Sequence, residues 1–356
     1  MRADVPPSIA QVSERCERPS LVFDRARIDA NLRAIGQAAR ATGITALFAA
    51  KSFPHRDVWE MAAAHLDGFD AASPGEVAGV PPVKVLSVVD PSGRAVAAAA
   101  GARGRLIVGC ETVEQVEEAP AHAEIAIRIS ASVTGRDPAI GAVLDGSGHR
   151  RSRFGLDTEP AGRRAAIGAM VSAARGRPVG LHVHHGPVTA TSGERFVLTA
   201  RAVLAAAAEA GLAPRFLDLG GAWHAIAEVS RAFAEVRAAV PSGVELLVEP
   251  GRLVAEGAGF ACGRVVVARE LADRPLRVVD LSRICHLRWS QVELVGTARG
   301  ASTLFVGPTC YEDDVLGEWS SAPPVGARVV LRNVSGYAVA WNTSFGGVPA
   351  ADVVIA

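Results

Sequence analysis

Apolar positions gather along this chain in short, evenly spaced runs. Between residues 45 and 251 there are eight: TALFAAK (45–51), GFDAAS (68–73), VKVLSVV (83–89), RLIVGC (105–110), EIAIRIS (124–130), VGLHVHHG (179–186), RFLDLGG (215–221) and ELLVEPG (245–251). Runs of this length without polar alternation read as parallel strands buried on both faces. The segments between them include IDANLRAIGQAARATG, EPAGRRAAIGAMVSAARG and GERFVLTARAVLAAAAEAGLA. Their alanine, leucine and arginine content and helix-period apolar positions predict crossover helices. Strand and helix alternating eight times within roughly 200 to 250 residues predicts an α/β fold of the (β/α)8 barrel type. A doubly wound open sheet is the structural rival, because counting strands does not show closure.

Beyond about residue 255 the texture changes to β-branched runs, GRVVVARELA, PLRVVDLS, ARVVLRNV and ADVVIA, separated by glycine, proline and polar turns. The predicted organisation is a barrel over residues 25–255 and a β domain built from 1–24 plus 256–356.

Composition narrows the partners. With 49% hydrophobic residues the chain buries a large core, and its zero formal charge and pI near 7.1 carry no footprint of a nucleic-acid or membrane-surface binder. Small molecules are the expected ligands. The N-terminal stretch lacks the pattern of a secretory signal and no long uncharged apolar span occurs, so a cytoplasmic location is expected. Five scattered cysteines, Cys16, Cys110, Cys262, Cys285 and Cys310, form neither a disulfide framework nor a cysteine zinc cluster.

Only two lysines occur, Lys51 and Lys84, since arginine supplies nearly all the positive charge. Arginine cannot substitute in Schiff-base chemistry, which needs an amine able to lose its proton. Lys84 lies in a polar lead-in and reads as a surface residue, whereas Lys51 ends the first apolar run. In a barrel the active site lies at the C-terminal ends of the strands, and other polar residues gather there too. Asp70 and Ser73 end the second run, Arg128 the fifth, His182, His184 and His185 fall in the sixth, Gly220 and Gly221 end the seventh, and Glu249 and Arg252 end the eighth. Each has a plain alternative: a snorkelling lysine, a tight glycine turn, packed histidines. The HxH of His182 and His184 also has zinc-pair spacing but no evident third ligand, so no metal site is expected.

Taken together, LFAAK, FDAASPGE nineteen residues on, RSRFGLD, GLHVHHG, LDLGGA, VEPGR, VGPTCYEDDVL and SGY resemble, in order and spacing, the fold-III pyridoxal-phosphate decarboxylases. These are the ornithine and diaminopimelate decarboxylase family, related to alanine racemase. The resemblance implies pyridoxal 5'-phosphate as cofactor, with Lys51 as the Schiff-base lysine, His184 stacked on the ring and Glu249 at the ring nitrogen. Arg252, the Gly220–Gly221 backbone and Tyr337 would hold the phosphate, with Asp70, Ser73, Glu76 and Arg128 near the site. Cys310 and Asp314 would enter from a neighbouring subunit, which implies a homodimer with shared active sites, and Cys310 would protonate the former α-carbon. A carboxylate at the ring nitrogen favours its protonated form and suits decarboxylation, whereas the racemases place an arginine there.

The sequence departs from the family at informative places. Tyr311 follows Cys310 where members acting on basic amino acids carry an acid, and LSRICHLRWSQ offers Arg283 and Arg288 where a second acid is expected. A neutral or acidic distal group is therefore the expected substrate feature, with Tyr311, Asp314, Arg283 and Arg288 as candidate contacts. Specialised natural-product or siderophore metabolism fits such a site by analogy. Pro187 stands in place of a phosphate-binding serine, with Thr189 and Thr191 nearby, and Ala222 in place of a third glycine. The alternatives are an ornithine, lysine or diaminopimelate decarboxylase with rearranged distal recognition, a racemase on the same fold, and a non-catalytic carrier of the cofactor.

Overall fold

The computed structural model describes residues 5–134, 143–144, 150–156, 159–184, 193–223, 225–296 and 299–356. All eight apolar runs form strands, here β1 (Ile44–Ala49), β2 (Gly68–Ala71), β3 (Val85–Val88), β4 (Arg105–Cys110), β5 (Glu124–Arg128), β6 (Val179–His182), β7 (Phe216–Asp218) and β8 (Glu245–Val248). Each pairs in parallel with its sequence neighbour. The ring closes where Leu246, Leu247 and Val248 of β8 pair with Ile44, Thr45 and Ala46 of β1. Closure decides for the barrel over the open sheet.

The barrel interior follows from side-chain size. Leu47, Val85, Ile107, Ala126, Phe216 and Leu247 form one buried cluster. Gly180 makes room for the largest of them, since a Cβ there would fall 2.4 Å from the Phe216 ring. Truncating a core phenylalanine of this kind typically costs about 3–5 kcal/mol. At the N-terminal end of the strands Arg105 ties three of them together, donating to Glu124 on β5 and to Glu245 on β8 at 2.7 Å each. The opposite, C-terminal end is thereby left to carry chemistry.

The chain divides into two compact units, one of Leu32–Lys51 with Trp59–Leu253, the other of Met1–Asn31 with Ser52–Val58 and Val254–Ala356. Its boundaries run near the expected ones at residues 25 and 255, with the addition that Arg25–Asn31 and Ser52–Val58 group with the second unit. Phe53 packs on Phe23 with ring centroids 4.5 Å apart, and Asn31 donates to the Val254 and Glu256 carbonyls, so these short segments stay with the second unit.

That second unit is an eight-stranded sheet centred on the long strand Gly259–Glu270. Ser20–Phe23 pairs antiparallel with it and parallel with Asp352–Ile355, so the two ends of the chain are stitched into one sheet. Among the described residues no helix is long and apolar enough to cross a membrane.

Candidate active site

Strand register gathers the polar side chains of the barrel. Asp70 on β2 lies beside Ser87 on β3, and His182 on β6 lies between Arg128 on β5 and Asp218 on β7. All of them are buried. Lys51 follows β1 in a 3-10 turn, Ala50–Ser52, and its Nζ donates to Asp70 Oδ2 at 2.6 Å. The lysine side chain is 39% exposed and the aspartate 1%, so a buried acid aims a lysine amine that remains accessible.

Glu249, the first residue after β8, is buried against Asp218 and His182. The three offer polar atoms within 4.8 Å of one another, with His182 Nε2 3.8 Å from Glu249 Oε1. Burial pushes Glu249 well above the ordinary carboxylate range, and nearby Asp70 and Asp218 push it further. Burial likewise raises Asp218 to about 7, with Asp70 adding to the effect. Two acids this close and this dry both favour the protonated form, since each charge is desolvated and opposed by the other. His182 goes the other way: burial holds its imidazole well below the usual range, and Arg128, His184 and Lys51 oppose its charge, so the ring is neutral.

The LDLGGAW segment after β7 is a tight turn fixed from both sides. Gly220 N–H donates to Asp218 Oδ1 at 2.8 Å, and the Trp223 indole N–H donates to the Gly220 carbonyl at 2.9 Å. Gly220 has φ +62°, and a Cβ there would fall 2.9 Å from His184 Nδ1. Only glycine fits so close to the histidine. Ala222 also takes a left-handed φ, +69°, at the position where a third glycine was expected. Trp223, stacked on Phe196 at 3.7 Å and edge-on to Phe233, anchors the strained turn.

Other expected site residues have local duties. Ser73 caps the helix Pro74–Gly79 by accepting from Glu76 N–H, while Glu76 accepts from Ala72 N–H at 2.8 Å. Arg128 donates to Glu111 at 3.1 Å and lies over the Phe154 ring, and the described part of the RSRFGLD segment, up to Leu156, reaches β5 through an Ile129–Leu156 bridge. Arg252 is exposed in the 3-10 turn Arg252–Ala255. His185, Pro187, Thr189 and Thr191 lie outside the described residues.

The remaining candidates belong to the second unit. Cys310 is a free, exposed thiol and Tyr311 is 56% exposed, its ring against Phe345. Asp314, expected among the substrate contacts, is instead committed to the loop. It is 2% exposed, and its oxygens accept from the Ser282 hydroxyl, Arg283 N–H, Thr309 N–H and the Thr309 hydroxyl. Its carboxylate shapes the turn that presents Cys310 and Tyr311, with no oxygen left over for a substrate. The Arg283 guanidinium donates to the Ser290 carbonyl, Arg288 lies exposed over Trp341, and Tyr337 opens a short helix with Trp289 edge-on against it.

Asp218, the Glu111–Arg128 pair and the Trp223 anchor are the parts not singled out from sequence. An aspartate inside the apolar run FLDL was the available signal for the first.

The family model "Pyridoxal-dependent decarboxylase, pyridoxal binding domain" matches residues 25–256. The chain is 28% identical over 357 residues to a diaminopimelate decarboxylase of Deinococcus radiodurans, covering 95% of this chain and 90% of that protein. Its fold matches a lysine/ornithine decarboxylase of Vibrio vulnificus solved with cadaverine, with TM-score 0.80 at 20% identity over 99% of both chains. It also matches a diaminopimelate decarboxylase of Helicobacter pylori solved with L-lysine, with TM-score 0.78 at 18% identity over 98% and 94%.

Proposed function

The chain belongs to the pyridoxal-dependent decarboxylases, and from that premise we propose that its barrel mouth holds pyridoxal phosphate on Lys51 and decarboxylates an amino acid whose distal group is neutral or acidic. The observation that carries this reading is the pairing of an accessible Lys51 amine, aimed by buried Asp70, with a buried acid on β8.

The residues fit the cofactor. Glu249 Oε1 is buried without a hydrogen-bond partner, which suits a protonated ring nitrogen, and the glycine turn leaves no side chain between its backbone and His184. Bound pyridoxal phosphate supplies an electron-poor ring that takes up the electron pair left as carbon dioxide departs. Lys51 holds the cofactor and Asp70 orients its amine. Glu249 keeps the ring-nitrogen proton in place, and neutral His182 beside it adds no competing positive charge. His184 is the stacking residue. Gly220, Gly221, Arg252 and Tyr337 take the phosphate by N–H, guanidinium and hydroxyl donors, with Ser73 after β2 and Arg128 on β5 in supporting roles.

Cys310 delivers the proton to the former α-carbon, and it does so in a homodimer whose subunits share active sites. Mixing inactive Lys51→Ala and Cys310→Ala subunits should restore partial activity, and a complete failure to do so contradicts sharing. A cytoplasmic setting in specialised amino-acid metabolism accompanies this reading.

The distal end rests on Tyr311 and Arg288, which lie exposed where an acid is expected, and on the half-buried Arg283. The likeness to diaminopimelate decarboxylases supports a second reading, a substrate with a distal ammonium group. Mass spectrometry after incubation with acidic, neutral and basic amino acids in D2O separates the two. A product lighter by carbon dioxide and carrying one deuterium, from a neutral or acidic substrate, supports the first reading. The same product from a basic substrate alone supports the second. Deuterium without loss of carbon dioxide contradicts both.

A further inference from the structure

Asp218 is buried at the end of β7 and touches two parts of the site at once. One oxygen, Oδ1, accepts from Gly220 N–H at 2.8 Å, and polar atoms of the same carboxyl and of the Glu249 carboxyl lie within 4.8 Å of each other, close enough for Glu249 to steady the Asp218 anion by hydrogen bonding when it carries the proton. Gly220 sits in the turn under His184, and Glu249 N–H in turn donates to the Gly220 carbonyl at 2.9 Å. Asp218, Gly220 and Glu249 thus close on one another, through two hydrogen bonds and one approach of carboxyl to carboxyl.

We propose that Asp218 is a positioning residue that fixes the Gly220 turn with one oxygen and, once a protonated ring nitrogen draws the negative charge onto Glu249, takes over the shared proton and donates it to Glu249, so that one side chain sets both ends of the cofactor cradle. The proposal rests on the functional reading above.

Its chemistry follows from what surrounds the pair. Asp218 and Glu249 face Asp70 from β2, Lys51 from the β1 turn and Arg128 from β5, with His182 alongside on β6. Two anions in contact there would repel each other and Asp70, whereas one shared proton converts the contact into a hydrogen bond. When a protonated ring nitrogen faces Glu249, the anion belongs on Glu249 and the proton on Asp218. A carboxylic acid accepts with one oxygen and donates with the other, and an asparagine amide presents the same acceptor–donor pair. Alanine presents neither.

The experiment is titration of full-length apoprotein with pyridoxal 5'-phosphate for wild type, Asp218→Asn and Asp218→Ala. Cofactor absorbance is followed, and circular dichroism serves as the check on folding. Asp218→Ala should weaken binding by about tenfold or more and shift the bound cofactor's absorption band, and Asp218→Asn should recover most of both. Wild-type binding by Asp218→Ala, or Asp218→Asn no better than alanine, overturns the role. Should Asp218→Ala not fold, Asp218→Asn decides alone: binding within about fivefold of wild type supports the proposal and a larger loss overturns it. Those failures leave the functional reading standing as long as wild type binds, whereas failure of wild type to bind overturns both.

Discussion

Lys51 and Asp70 meet at 2.6 Å from neighbouring strands, one side chain accessible and the other sealed in the barrel wall. The pairing is a consequence of register, because Ala49 lies beside Asp70 and the chain turns into the mouth two residues later. Replacing Asp70 with Asn removes the charge but keeps the shape, so the amine loses its aim more than its room. We expect kcat to fall by about 10- to 100-fold while KM changes far less, since misplacing a reacting group costs rate before binding. Steady-state kinetics check this, and an unchanged kcat would contradict it.

His182 makes the stability of the apoprotein depend on pH. Burial keeps its folded-state pKa well below the usual 6.5. As pH falls below 6.5 the unfolded chain takes up a proton that the folded chain refuses, so stability declines on acidification. The decline is at most one proton, about 1.4 kcal/mol per pH unit. Asp218, raised by burial to about 7, and Glu249, raised well above the ordinary carboxylate range, act in the opposite sense, each losing its contribution to stability as pH rises through its folded-state value. Those terms stay in the variant. On acidification from about pH 6.5 to 5 the stability of His182→Gln should therefore fall less, or rise more, than that of wild type, as read from chemical denaturation at each pH. Parallel curves would contradict a neutral, buried His182.

Ala222 holds a left-handed φ of +69°. That conformation costs a non-glycine residue roughly 1–2 kcal/mol. Ala222→Gly should raise the unfolding free energy of the apoprotein by about 1 kcal/mol after the entropy cost of glycine in the unfolded chain. Equilibrium unfolding checks it. A loss of stability would mean that the Trp223 anchor already relieves the strain.

Tyr311 stands exposed beside Phe345 on the loop that Asp314 holds together. Tyr311→Phe should alter the ratio of kcat/KM between substrates by about tenfold and leave cofactor affinity within about twofold, because it removes one hydrogen-bonding group and no packing. An unchanged substrate ratio would dismiss Tyr311 as a distal contact.

The barrel was legible because each strand is buried on both faces and therefore written as an uninterrupted apolar run; closure was not, since it depends on β8 finding β1 two hundred residues away. The strand-end residues were legible for the same reason, as polar letters breaking those runs. Asp218 was hidden because its meaning depends on Glu249 on the next strand, a pairing that no local pattern carries. Asp314 misled in the opposite direction: an acid in the run EDD reads as exposed, and only the fold surrounds it with four donors. The division of the chain was blurred because the short Ser52–Val58 segment follows Phe23, not its own sequence neighbours.

The most direct test of the account is to load the protein with pyridoxal 5'-phosphate, reduce it with borohydride and map the labelled peptide by mass spectrometry. The account predicts a phosphopyridoxyl group on Lys51, and loss of both label and the bound cofactor's absorption band in Lys51→Ala. Label on Lys84, or an unlabelled protein that still decarboxylates, would contradict it.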